Sequence, residues 1–362
     1  MVKLTSREIL KMRIKRVEKE IHDTPYHKGT EHHIGKLRAK LAHLKDSEIG
    51  ASTKKGGGGT RYAVKKQGDA TVVLVGHPSV GKSTLLNRLT NARSKVAPYA
   101  FTTVTVIPGM MKYQDAKIQI LDVPGLIEGA EEGKGRGREV LSVARGADLL
   151  IIIGDLERTS FVQIEKVLHK NGIRLNQKPP RVEIEKKLSG GIIIHTNVKQ
   201  EIDRETIKEV AGEMGIKNAE ITIEEKLTFE RLIDAFSNSR VYVPGIFVVN
   251  KIDQKQAFKK NPNYFYISAQ KSLGLNTLKK VLWQKTGLIR VYLVKEGEEP
   301  HYLSPIVTRA GQTLKDIAIK IGNDFAQNKK RAKIWGQSAK YPGQVVSLSK
   351  EAKEGMRVCF LV

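Results

Sequence analysis

The octapeptide Gly76-His77-Pro78-Ser79-Val80-Gly81-Lys82-Ser83 stands between a short apolar run, Thr71–Val75 (TVVLV), and a helix-forming run, Thr84–Leu89. That order constrains the fold more than any other feature of the chain. Five apolar or β-branched residues in a row read as a strand buried on both faces. A strand, a glycine turn and a helix then open a βαβ unit. Glycines at 76 and 81 let main-chain amides curl round an oxyanion with no Cβ in the way, and the helix N-terminus adds partial positive charge. Residues 76–83 and the following Thr84 are therefore candidate phosphate contacts. Lys82 is expected on the β- and γ-phosphates, as a catalytic residue, and the Ser83 hydroxyl on a magnesium ion.

Two further strand ends carry matching chemistry. Asp122-Val123-Pro124-Gly125 follows the run Ile118–Leu121. A carboxylate there can hold a magnesium-bound water, and the Gly125 amide can sense a γ-phosphate, which makes it a second catalytic candidate. Asn250-Lys251-Ile252-Asp253 follows GIFVV, and Ser268-Ala269-Gln270 follows Tyr264–Ile267. A guanine edge offers N1–H and the N2 amino group as two donors. The Asp253 carboxylate can accept both, and adenine has no equivalent pair. Asn250 is expected to fix the loop and approach N7, the Lys251 stem to lie on the base face, and the Ala269 amide to reach O6. The nucleotide is expected to be GTP or GDP.

The apolar runs alternate with helical segments, so the fold class is α/β: a mostly parallel sheet with helices on both faces. Residues 61–288 form this domain. Between Asp155 and Gly245 the chain is too long for one crossover, and short runs at Val182–Ile184, Ile192–His195 and Glu220–Ile223, with a helix capped by Asp203, predict a small α+β insert at 174–238. Residues 1–60 read as a helical hairpin plus a Gly56–Gly59 linker. Thr5 and Glu8 make a capping box, and Leu10, Ile14, Val17 and Ile21 make one narrow stripe. Residues 289–362 form a compact terminal domain, with a helix capped by Thr313 and Asp316 that is expected to run to about Gln327.

Charge sets the partner class. Lys and Arg number 63 against 38 Asp and Glu, a net +25, and residues 1–66 alone hold 17 Lys and Arg against 7 acids. Such an excess predicts a polyanion as partner. A lone cysteine, Cys359, excludes internal disulfides and a cysteine zinc site. The charged N-terminus and the short apolar runs predict a cytoplasmic protein with no membrane partner.

The landmarks Phe101-Thr102-Thr103, Asp122-Val123-Pro124-Gly125-Leu126-Ile127-Glu128-Gly129-Ala130 and Gly133-Lys134-Gly135-Arg136-Gly137-Arg138 narrow the reading. The chain resembles the developmentally regulated GTP-binding proteins of the Obg superfamily over nearly its whole length. The resemblance implies a P-loop GTPase domain, a small ribosomal-protein-like insert and a C-terminal TGS domain of β-grasp fold. It implies that Thr103, rather than its neighbour Thr102, ligates magnesium in the first switch, and that residues 125–138 are the second. It also implies ribosome or ribosomal-RNA association, a role in translation and, in eukaryotic members, a dedicated stabilising partner protein. The alternative reading is an RNA-binding scaffold whose guanine nucleotide is structural.

Departures bear on rate. Where Ras-like enzymes place a water-orienting Gln after DxxG, this chain has Leu126, which predicts slow intrinsic hydrolysis. Some related GTPases use potassium, held partly by a P-loop Asn. Here Ser79 occupies that position, so potassium is only a further cofactor option. Arg136 and Arg138 are candidate charge stabilisers or RNA contacts, and His32-His33 read as surface helix residues or RNA contacts.

Overall fold

The structure is a computed structural model that describes residues 5–25, 27, 29–53, 67–90, 97–98, 105–123, 135–159, 161–255 and 257–362. In chain order the elements begin with α1 (Ser6–Asp23) and α2 (Glu31–Thr53). Next come β1 (Ala70–Gly76), α3 (Lys82–Thr90), β2 (Ala97–Pro98), β3 (Thr105–Tyr113), β4 (Ala116–Asp122), α4 (Gly135–Arg145), β5 (Leu149–Asp155) and α5 (Phe161–Lys170). The insert holds β6 (Ile173–Leu175), β7 (Val182–Lys186), β8 (Ile192–Thr196), α6 (Arg204–Glu213), β9 (Ala219–Ile223), α7 (Phe229–Phe236) and β10 (Val241–Val243). The chain closes with β11 (Gly245–Asn250), β12 (Tyr264–Tyr266), α8 (Leu275–Lys285), β13 (Leu288–Leu293), β14 (Pro305–Arg309), α9 (Leu314–Ile321), α10 (Asn323–Gln327), β15 (Arg331–Trp335), β16 (Gln344–Ser347) and β17 (Met356–Leu361). These elements form two compact units, Met1–Arg61 with Gly172–Tyr242, and Tyr62–Asn171 with Val243–Val362.

The larger unit is built on a seven-stranded sheet of order β12-β11-β5-β1-β4-β3-β2. Five strands are parallel, and every residue of β1 and β5 is buried, as their uninterrupted apolar runs require. β3 and β2 are antiparallel additions at one edge. The register pairs Leu74 with Asp122, Gly76 with Ile153 and Asn250 with Asp155. The turn after β1, Asp122, Asp155 and Asn250 therefore share the carboxyl edge of the sheet, where open α/β sheets bind ligands.

The terminal domain of that unit is a five-stranded sheet, β14-β13-β17-β15-β16, wrapped on one helix through Val291, Leu314, Ile317, Ala332, Ile334 and Val358. Thr313 and Asp316 form the expected capping box. The helix does not reach Gln327 unbroken. It stops at Ile321, Gly322 is extended, and a separate short helix follows. Glycine gains least from helical order, which makes it the natural break. At the opposite sheet edge Arg309 lies 2.7 Å from Asp148 and Lys320 2.9 Å from Asp69, so the terminal domain is pinned to the seven-stranded sheet by two ion pairs.

The smaller unit joins the hairpin to the insert. Thr5 and Glu8 make the capping box, and Ile14 and Val17 are buried on α1, as Ile34 and Leu37 are on α2. The reading above keeps hairpin and insert in separate domains. Instead, Ala39 and Ala42 of α2 lie in one core with Ile207, Val210, Ala211, Leu232 and Phe236. Small residues let α2 sit close: a Cβ on Gly35 would come 2.5 Å from the Phe229 ring. The insert is a three-stranded sheet, β7-β9-β8, with α6 and α7, and its base is closed by the β6–β10 ribbon. Above that ribbon Arg174 makes two 2.6 Å hydrogen bonds to Asp234, which also takes one from Arg240 at 2.8 Å; Arg240, Ser237 and Ser239 all bond Asp46 of α2. His32 is a structural contact: its ring lies 2.8 Å from Asp203 and within hydrogen-bonding distance of Thr206 at the start of α6. Among the described residues no helix is long and apolar enough to cross a membrane.

Candidate nucleotide site

The turn after β1 is held in a shape that few side chains tolerate. Ser79 and Gly81 both have positive φ, 63° and 94°. A Cβ on Gly76 would meet the Ile153 carbonyl at 2.2 Å, and one on Gly81 would meet Asn250 Nδ2 at 2.4 Å. Lys82 Nζ arches back over the turn and donates to the carbonyls of Gly76 at 3.0 Å and His77 at 2.8 Å. Its stem is buried, so the charge is fixed above the loop. Pro78 and Ser79 form the exposed rim, and Val80 is buried beneath it. Ser83 and Thr84 are exposed at the start of α3.

The Ser83 hydroxyl donates to Asp122 Oδ2 at 2.5 Å. Asp122 is 3% exposed, and its other oxygen, Oδ1, is buried with no hydrogen-bond partner among the described residues. A buried acceptor left over costs free energy, on the order of 1–3 kcal/mol, unless something fills it. A hydroxyl and a carboxylate form the oxygen-only donor set that Mg2+ takes, completed in such sites by waters and substrate phosphates. Among the described residues no group of three or more His, Cys, Asp or Glu side chains could hold a metal ion.

The base side is organised by Asn250. It is 3% exposed, and its Nδ2 donates to the Val80 carbonyl at 2.9 Å while its Oδ1 accepts the Ala269 N–H at 2.9 Å. One side chain thus ties the phosphate turn to the loop after β12. The Ala269 amide, expected to reach O6, is engaged by this bond instead. Lys251 has left-handed backbone, φ 63°, and its Nζ lies 2.9 Å from Asp155 Oδ2. Asp253 sits in the single 3₁₀ turn Ile252–Gln254. A hydrogen bond from the Ser268 side chain holds its carboxyl below the ordinary range, so it is an ionised acceptor at neutral pH. The Gln270 carbonyl accepts from Arg88 at 2.9 Å, which anchors that loop to α3.

Family comparison agrees with this layout. Residues 71–187 match a family described as 50S ribosome-binding GTPase, 189–288 match the C-terminal region of that domain, and 289–360 match the TGS domain. A GTP-binding protein of Methanocaldococcus jannaschii is 45% identical over 94% of this chain and 90% of its own length. Developmentally-regulated G-protein 3 of Arabidopsis thaliana is 42% identical over 94% and 96%, and developmentally-regulated GTP-binding protein 1 of Xenopus laevis is 41% identical over 92% and 94%. The chain belongs to the developmentally regulated GTP-binding protein family.

As a member of that family it is a GTP-binding GTPase, and the sheet edge brings together Gly76–Ser83, Asp122, Val123, Asn250, Lys251, Asp253 and Ser268–Gln270. Thr102, Thr103, Pro124, Gly125 and Leu126 lie outside the described residues, as do the side chains of Arg136 and Arg138. The sequence reading missed Asp155. Burial pushes its carboxyl up, but hydrogen bonds from Lys251 Nζ and from the N–H groups of Arg158 and Glu157 outweigh that and hold it below the ordinary range. The signal was an acid ending the apolar run LLIIIG, at the same sheet edge as Asp122.

Proposed function

We propose that this GTPase is a switch acting on the ribosome or its RNA in translation, with Mg2+ as its cofactor. The observation that carries the reading is the Ser83–Asp122 pair with its unpartnered Asp122 Oδ1, placed three residues before the start of the second switch segment. Ser83 would ligate Mg2+ directly, Asp122 through water, and Thr103 from the first switch, with Thr102 the lesser option. When bound, the ion neutralises charge on the β- and γ-phosphate oxygens. Lys82, fixed over the loop, meets those same oxygens. The Gly125 amide reports on the γ-phosphate.

Leu126 has no group to orient water, so intrinsic hydrolysis is slow and rises when a partner, a backbone group or a cation supplies the orientation. Potassium, if it serves here, does so without the P-loop Asn, and an unchanged rate with sodium in its place removes it. The net charge of +25 and the description of the matched family support a ribosomal-RNA partner. The test is GTP hydrolysis with and without ribosomes, across a magnesium titration, in the native chain and in Ser83→Ala. The reading predicts ribosome-stimulated turnover and a much higher magnesium requirement in the variant. Rates indifferent to both would contradict it.

A further inference from the structure

The outer face of α1 is a line of cations that no acid among the described residues pairs with directly. Lys11, Lys15 and Lys19 recur every four residues, with Arg16 alongside and Arg13 at the margin, and all five are exposed. At a rise of 1.5 Å per residue the three lysines stand about 6 Å apart along one side of the helix. None of the five makes an ion pair or hydrogen bond within the described residues. The acids of the same helix have nearer partners, although Glu8 also feels the charge of Lys11. Glu8 closes the capping box with Thr5, Glu18 takes Lys45 at 2.8 Å, Glu20 faces His33 at 3.6 Å, and Asp23 faces His22 at 3.2 Å. The opposite face is committed, because Ile14 and Val17 are buried where α1 packs on α2.

A rigid rod carrying unpaired positive charge on one side and anchored by its other side fits a regular polyanion. The helix has no Phe, Tyr or Trp, so it offers no stacking platform for splayed bases. Lysines as point charges meet phosphate oxygens and carry no base code. We infer that this face of α1 docks along the phosphate backbone of double-helical RNA, independent of sequence. The inference rests on the ribosomal-RNA reading above and names the surface and the RNA form it takes.

The experiment uses the full chain and its variant Lys11→Gln, Lys15→Gln, Arg16→Gln, Lys19→Gln, titrated against a blunt RNA duplex of arbitrary sequence over a range of salt. Glutamine keeps helix propensity, and circular dichroism and basal GTP hydrolysis check that the variant is intact. Each phosphate contact contributes roughly 0.7–0.9 to the slope of log K against log salt, so losing four should flatten it by about 3. That drop, equal on two unrelated duplex sequences, supports the inference. Duplex binding by the native chain with an unchanged slope in the variant overturns it and leaves the ribosomal reading standing. Native chain that co-sediments with ribosomes but ignores duplex RNA overturns it in the same way. Retention on phosphatidylserine vesicles with no RNA binding overturns it in favour of a membrane surface. Failure to bind either ribosomes or duplex overturns both readings.

Discussion

Lys251 and Asp155 form an ion pair of 2.9 Å that joins the guanine-loop lysine to the end of the neighbouring strand. The sheet register sets Asp155 opposite Asn250, one residue before Lys251. Asp155 also accepts from the N–H groups of Glu157 at 3.1 Å and Arg158 at 2.8 Å, so the carboxylate is fixed before it fixes the lysine. A lysine in left-handed backbone, held at both ends, has one place to put its stem.

Asp155→Asn should therefore loosen the base site without changing which base it prefers. A charged hydrogen bond in a partly buried site is worth about 1–2 kcal/mol, which corresponds to roughly a 5- to 30-fold faster release of GTP and GDP. Stopped-flow release of a fluorescent guanine nucleotide measures it, and the guanine-over-adenine ratio should hold. The pH dependence has a defined sign. The folded carboxyl is held below its ordinary 3.8, so its contribution is complete above that value and is lost as pH falls through the depressed one. Nucleotide retention should be flat from neutral pH down to the region of the ordinary value.

Asp253→Asn replaces an acceptor pair by one acceptor and one donor. Guanine binding should fall and xanthine binding should rise, because xanthine presents a carbonyl where guanine presents the N2 amino group. Competition of GTP against xanthosine triphosphate checks this, and unchanged GTP preference would refute the role given to Asp253.

Lys82→Ala removes the fixed charge above the turn while leaving the glycine geometry. Tight binding of GTP and GDP should be lost, with the melting temperature of the nucleotide-free chain little changed. Equilibrium dialysis and a thermal melt separate the two. Gly81→Ala should fail differently, since its φ of 94° and the nearby Asn250 amide strain the fold itself.

Asp234→Ala would leave the buried Arg174 guanidinium without its two-pronged acceptor and take one from Arg240. Removing one partner of a buried pair costs about 3–5 kcal/mol. Urea unfolding followed by a probe in the insert should show the loss, while nucleotide affinity in the other unit should stay near its native value.

Much of the site was legible because its signals are local. A strand, a glycine turn and GKS need no tertiary knowledge, and the caps at Thr5, Asp203 and Thr313 rest on neighbours three residues away. What escaped depends on register or on small side chains. Asp155 gains meaning only when β5 pairs with β11. The Ala269 amide looked free because its partner, Asn250, is nineteen residues earlier in the chain. Ala39 and Ala42 add almost nothing to an apolar stripe, yet they bring α2 against the insert. β3 contains Pro108-Gly109, which weakens its strand pattern; a Cβ at Gly109 would strike Thr90 and Leu86.

The central claim is that the nucleotide state governs the hold on the ribosome. Co-sedimentation with ribosomes in GDP, in a non-hydrolysable GTP analogue and without nucleotide tests it most directly. The account predicts clearly tighter association in the triphosphate state, lost in Lys82→Ala. Equal association in all three states would contradict it and leave a basic RNA-binding scaffold with a structural nucleotide.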